Sequence, residues 1–236
     1  MGRATLKDIH PAVWLWFPPL MWLVLLYAAF IAPELVKPIL SLDHQHQRAG
    51  LVENGTVAVL IPGIIAGIIV VVRYASALPN PGVRIWLGLW TLGALYFALE
   101  EVSWGQWWFG WDSPDVFIEH NEQQETNLHN MSAWLNRRPR VVLELWILAM
   151  GLAFPLWRWL TSGADWHPSN WRHWVIPTQV VLVTSGLYLV VRICRWFDHP
   201  TFGNTEFREY YIAVFISVYL LSCWARARAI AQSRPT

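Results

Sequence analysis

Two glutamates stand side by side where an oily stretch ends. Residues 98–111 read ALEEVSWGQWWFGW, and the run before Glu100 and Glu101 is long and almost wholly apolar. A dense polar segment, EHNEQQETNLHN, follows at 119–130. An ionised carboxylate in or beside hydrocarbon must find a partner, reach water or hold a proton. On a regular helix Glu100 shares a face with Ser103, Trp104 and Trp107, while Glu101 points about 100° away. If the polar segment is also helical, Glu122, Glu125 and His129 fall at i, i+3 and i+7 and form one stripe. Carboxylate and imidazole a turn apart can share a metal ion. The expected catalytic set is therefore Glu100, Glu101 and Ser103. The expected ligands of one divalent ion (iron, zinc or manganese) are Glu101, Glu125 and His129, with His120 or His199 completing the set. Bundle proteins that hold two metals use Glu-x-x-His pairs. The single Glu-x-x-x-His here points to one ion at most, or to Glu as general base with His as acid.

Plainer readings stand beside this one. The polar segment could be an amphipathic helix lying on the membrane surface, anchored by Trp107, Trp108 and Trp111. Arg192, Arg195 and Arg208 sit at matching depth and could pair with Glu100 or Glu101. Glu144 lies four residues after Arg140, the spacing of a local ion pair. Glu206 and Glu209 near a helix N-terminus suit the macrodipole, with Arg208 beside them, although Glu209 or His199 could also join the site. The surplus of amides (Gln106, Asn121, Gln123, Gln124, Asn127, Asn130) exceeds what a surface helix needs. It favours convergence of the two segments on one pocket.

The elements that must position these residues follow from composition. The chain is 55% hydrophobic and 14% charged, with 18 Trp, against about 25% charged in an ordinary soluble domain. Six apolar windows, near 12–33, 53–76, 84–108, 140–162, 172–195 and 207–228, have the length of roughly 20 residues that crosses a bilayer. They are continuously apolar rather than alternating, so helices are expected, not barrel strands. The fold class is all-α: a polytopic membrane bundle forming a single domain over 1–236, with a polar, partly helical connection between spans three and four. The first span reads as retained rather than cleaved and as kinked at Pro18-Pro19. ASALPNPGVR makes a tight turn between spans two and three. Gly63 and Gly67 form a small-xxx-small pair for close helix packing. Cys194 and Cys223 fall near opposite membrane faces and read as packing residues.

Six spans put the three odd-numbered connections on one side and both termini on the other. Lys and Arg divide almost evenly between the sides, so they do not set orientation. Most carboxylates and His44, His46, His120, His129 and His199 gather opposite the termini. That asymmetry favours cytoplasmic termini and an extracytoplasmic acidic face.

EEVSWGQ followed by NEQQETNLHN, roughly residues 99 to 131, resembles a signature of a family of uncharacterised bacterial multi-pass membrane proteins. The resemblance implies a bacterial inner-membrane location. It also implies that Glu100, Glu101, Ser103, Gln106, Asn121, Glu125, Asn127 and His129 act as one unit, and it implies no activity. Three functions stay open: a metal-dependent membrane enzyme acting on a lipid or other hydrophobic substrate, a non-catalytic subunit of a larger complex, and a proton or cation transporter. The expected partners are the lipid bilayer and either other membrane subunits or further copies of the chain. No basic stripe suggests nucleic acid, and no phosphate loop or nucleophile elbow is present.

Overall fold

The computed structural model describes residues 8–31, 51–121, 124–128, 131–161, 166–197 and 205–233. Its helices are α1 Phe17–Ile31, α2 Leu51–Val72, α3 Pro81–Glu101, α4 Gln106–Phe109, α5 Asp115–His120, α6 Ala133–Trp146, α7 Phe154–Leu160, α8 Arg172–Val175, α9 Leu182–Trp196 and α10 Thr205–Gln232. No strand occurs among the described residues. The chain is an all-α polytopic bundle. Among the described residues, five helical stretches are long and apolar enough to cross a membrane: Val52–Val72, Pro81–Glu101, Arg138–Leu160, Arg172–Trp196 and Glu206–Gln232. The first expected span is helical to Ile31, with a shorter apolar stretch at Ala12–Val24. A π-helical segment, Ala12–Trp16, leads into α1 just before Pro18 and Pro19.

α10 is the centre of the bundle. Nearly every side chain from Phe207 to Leu220 is buried, as expected of a helix surrounded by others. α2 lies against it through Gly63, where an added Cβ would come within 2.6 Å of the Ser217 backbone. One turn on, a Cβ at Gly67 would meet Thr91 Oγ1 of α3 at 2.2 Å. The small-residue pair therefore serves two neighbours, and both helices approach α2 because these positions carry no side chain. Away from the core, Ile61, Ile65, Ile68 and Val72 form one exposed face of α2, and Ile85, Leu89 and Leu92 one of α3. Such stripes suit contact with lipid.

The turn between α2 and α3 is tight, as its composition predicts. A 3-10 turn at Ala75–Ala77 is followed by Asn80, whose side chain caps α3 by accepting from Val83 N at 3.0 Å, and Pro81 opens the helix. At the terminal end of the bundle, Asp8 accepts from Thr178 at 2.8 Å and from Ser222 at 3.0 Å. Trp86 donates to Tyr219 at 2.9 Å, and Tyr219 donates to the Trp174 carbonyl at 2.8 Å. Cys194 and Cys223 are both free.

Candidate functional site

The third span is shorter than its apolar run. α3 stops at Glu101, and the backbone reverses at Ser103 (φ 46°), Trp104 (φ 60°) and Gly105 (φ 98°). Residues 84–108 are therefore not one helix, and Ser103 does not lie on a helical face with Glu100. The expected stripe also fails. After α5 ends at His120, residues 121 and 124–128 are not helical, and Gln124 has φ 57°. Amide and carboxylate side chains here take backbone and side-chain partners that a helix would have denied them. Ser103, Trp104 and Gln124 are the non-glycine residues with positive φ among those described. All three sit where the two polar segments meet, and such backbone persists only where surrounding bonds enforce it.

Those bonds are dense. Ser103 Oγ donates to Glu125 Oε2 at 2.7 Å, and Asn127 Nδ2 donates to the same oxygen at 2.8 Å. Asn121 Nδ2 donates to the Asn127 carbonyl at 2.9 Å and to Asn127 Oδ1 at 2.8 Å. Glu100 accepts from Trp104 Nε1 at 2.6 Å and from Leu128 N at 2.8 Å. Gln106 accepts from Thr126 N at 2.7 Å and donates to Ser113 at 2.8 Å, and Ser113 donates to the Gln124 carbonyl at 2.6 Å. Glu100, Ser103, Asn121, Glu125 and Asn127 are all buried. The two segments thus converge, as the amide surplus suggested. Glu100, Ser103 and Glu125 fasten the connection onto the end of α3.

Glu101 turns the other way. Its carboxylate meets those of Glu206 and Glu209, with an oxygen from each lying within 4.8 Å of the others. Glu53 of α2 adds a further negative charge, and Arg140 of α6 a positive one. Arg140 reaches Glu209 at 2.5 Å. Glu53, Glu101, Arg140, Glu206 and Glu209 lie near the same-side ends of four candidate spans, so the cluster sits at one membrane boundary. Glu125 adds its charge to the field at Glu206, which places the fastened loop beside the cluster. The exposed rings of Trp104, Trp108, Phe109 and Trp111 surround the connection, an aromatic belt suited to that depth.

Among the described residues, the expected metal ligands take different surroundings. Glu101 belongs to the carboxylate cluster, and Glu125 is hydrogen-bonded within the loop. His120 is exposed, its Nδ1 3.1 Å from the Val116 carbonyl of its own helix. His129, Glu122 and His199 lie outside the described residues. The expected ion pairs are also redistributed. Arg192 and Arg208 approach Glu144 at 3.7 and 3.5 Å rather than Glu100 or Glu101, and Arg140 pairs with Glu209 rather than Glu144. The missed partnership is that of Glu101 with Glu206 and Glu209. The sequence allowed Glu209 to join the site, but the one-turn spacing of Glu206 and Glu209 did not single out Glu101 as their neighbour. An all-oxygen donor set suits a hard divalent cation, such as manganese or magnesium, better than zinc. Set against protein-family models, curated proteins and solved structures, the chain matches none of them.

Proposed function

We propose that the chain is an integral-membrane enzyme whose active centre is the Glu101–Glu206–Glu209 cluster. In this reading the centre holds one hard divalent cation and acts on a lipid or other hydrophobic substrate arriving laterally from the bilayer. The observation that carries it is the convergence of three carboxylates from α3 and α10 at a partly buried membrane boundary, with Glu53 beside them. Like charges this close repel strongly where water is scarce, and a shared cation relieves that repulsion. Glu101, Glu206 and Glu209 would hold the ion. Arg140 orients Glu209, and the loop fastened by Glu100, Ser103, Glu125 and Asn127 roofs the cluster and limits water. A bound divalent ion would supply polarisation of a substrate oxygen and a more acidic water. The proposal places the protein in a bacterial inner membrane, with both termini in the cytoplasm and the site on the extracytoplasmic side.

Metal analysis of the full chain purified in mild detergent tests this reading. The expected result is about one manganese or magnesium per chain, lost in Glu101→Gln and in Glu206→Gln while both variants remain folded. Metal-free protein that co-purifies with fixed partner subunits would instead support a non-catalytic member of a larger complex.

A further inference from the structure

We propose that the seam between the π-helical segment Ile147–Ala153, α9 and α10 binds a file of ordered water. This file hydrates the bundle from Glu144 and Arg208 at the boundary inward to Ser185. The seam goes beyond the carboxylate centre and stands whether or not that centre binds metal.

Its inner wall is α9. Thr184, Ser185 and Tyr188 are fully buried, and Arg192 follows Tyr188 by one turn. Thr184 Oγ1 and Ser185 Oγ have no hydrogen-bond partner among the described residues, and the Tyr188 hydroxyl is directed at the Glu144 carboxylate. Buried hydroxyls on neighbouring helices behave differently: Thr56 donates to the Val52 carbonyl at 2.9 Å and Thr91 to the Leu87 carbonyl at 2.7 Å. That one-turn-back bond satisfies a buried hydroxyl in an apolar setting, and Thr184 and Ser185 on α9 do not make it.

Across from them, Glu144 Oε1 and Arg208 Nε have no hydrogen-bond partner among the described residues, although both residues are buried. The approaches of Glu144 to Arg208 (3.5 Å) and to Arg192 (3.7 Å) are ionic. They are longer than the roughly 2.7–2.9 Å of a charge-assisted hydrogen bond, so these ion pairs leave hydrogen-bonding capacity on the carboxylate and the guanidiniums for a further partner. Tyr188 lies within the field of all three charged groups and links them to the hydroxyls deeper in α9. Ser185 is pressed against the π segment: a Cβ at Gly151 would come within 2.4 Å of its Oγ and 2.6 Å of Phe215. π segments disturb regular helical bonding and recur at functional positions, and this one lies along the line from Glu144 to Ser185.

The chemistry of the wall selects water. Hydroxyls both donate and accept, and a carboxylate beside two guanidiniums offers both polarities, which suits a ligand that does the same. A free anion would face Glu144, and a free cation would face Arg192 and Arg208. At 1.5 Å per residue, Ser185 lies about 15 Å along α9 from its boundary end. Hydration there reaches well into the membrane. Arg208 also lies within the field of Arg140 and Glu209, so the mouth of the seam adjoins the carboxylate cluster.

Radiolytic hydroxyl labelling of the full chain in detergent, in ¹⁸O water, tests the inference. Bound water beside a buried ring is activated where it sits. Tyr188, Tyr211 and Tyr219 are equally buried, and the latter two donate to the carbonyls of Pro18 at 3.3 Å and Trp174 at 2.8 Å. The expected result is ¹⁸O incorporation at Tyr188 at least fivefold faster than at Tyr211 and Tyr219. Equal rates at the three tyrosines would overturn the proposal.

Discussion

Ser103 occupies a backbone conformation that a side chain seldom adopts, and its hydroxyl is spent on Glu125. Hydrogen bonds to a charged group contribute about 1.5–3 kcal/mol. Ser103→Ala should therefore lower stability by that order, read as a fall of several degrees in the thermal midpoint. An unchanged midpoint would show that Glu125 is held without it. Asn121→Ala removes two bonds to Asn127 and should cost a similar amount. At this scale the convergence of EEVSWGQ with NEQQETN was legible, because amides and carboxylates in such number beside an apolar run need one another. The partner of Glu101 was not legible. It depends on where the start of α10 is brought, and no local spacing encodes that. The helical stripe through Glu125 misled because it assumed a regular backbone where Gln124 has positive φ.

Among the elements, α2 offers the sharpest test of packing. Gly63→Val puts a branched side chain where a Cβ alone would lie 2.6 Å from the Ser217 backbone. Overpacking of this kind costs about 1–3 kcal/mol or more, and it should appear as an earlier transition in denaturing-detergent titration. Gly88→Ala on α3 is the control, since nothing lies within 4 Å of its added Cβ, and it should be neutral or mildly stabilising. The small-residue spacing announced a packing face in the sequence, but not that the face would serve two helices. The central place of α10 left a fainter trace. Its Tyr210, Tyr211, Ser217, Tyr219, Ser222 and Arg226 are buried together, and a span this rich in polar and aromatic groups is poorly suited to face lipid. The sixth apolar window could have been read as the core helix for that reason.

For the whole molecule, a multi-pass helical bundle was legible from apolar length, although six apolar windows correspond to five spans and one shorter apolar stretch among the described residues. Sidedness was not legible, because basic residues balance across the two faces. The proposed topology makes a direct prediction. With Cys194 and Cys223 replaced by Ala, Asp112→Cys should react with a membrane-impermeant maleimide on intact spheroplasts. Ser169→Cys, exposed at the terminal end, should react only after permeabilisation. The reverse pattern would place the carboxylate cluster in the cytoplasm.

The central claim is that Glu101, Glu206 and Glu209 hold a divalent ion in the folded protein. A ligand that binds only the folded state stabilises it by about 2.7 kcal/mol at a hundredfold excess over its dissociation constant. Thermal unfolding of metal-stripped protein titrated with manganese measures this directly. The account predicts a saturable rise of several degrees that is absent in Glu206→Gln. An equal response in wild type and Glu206→Gln, or none in either, would contradict it.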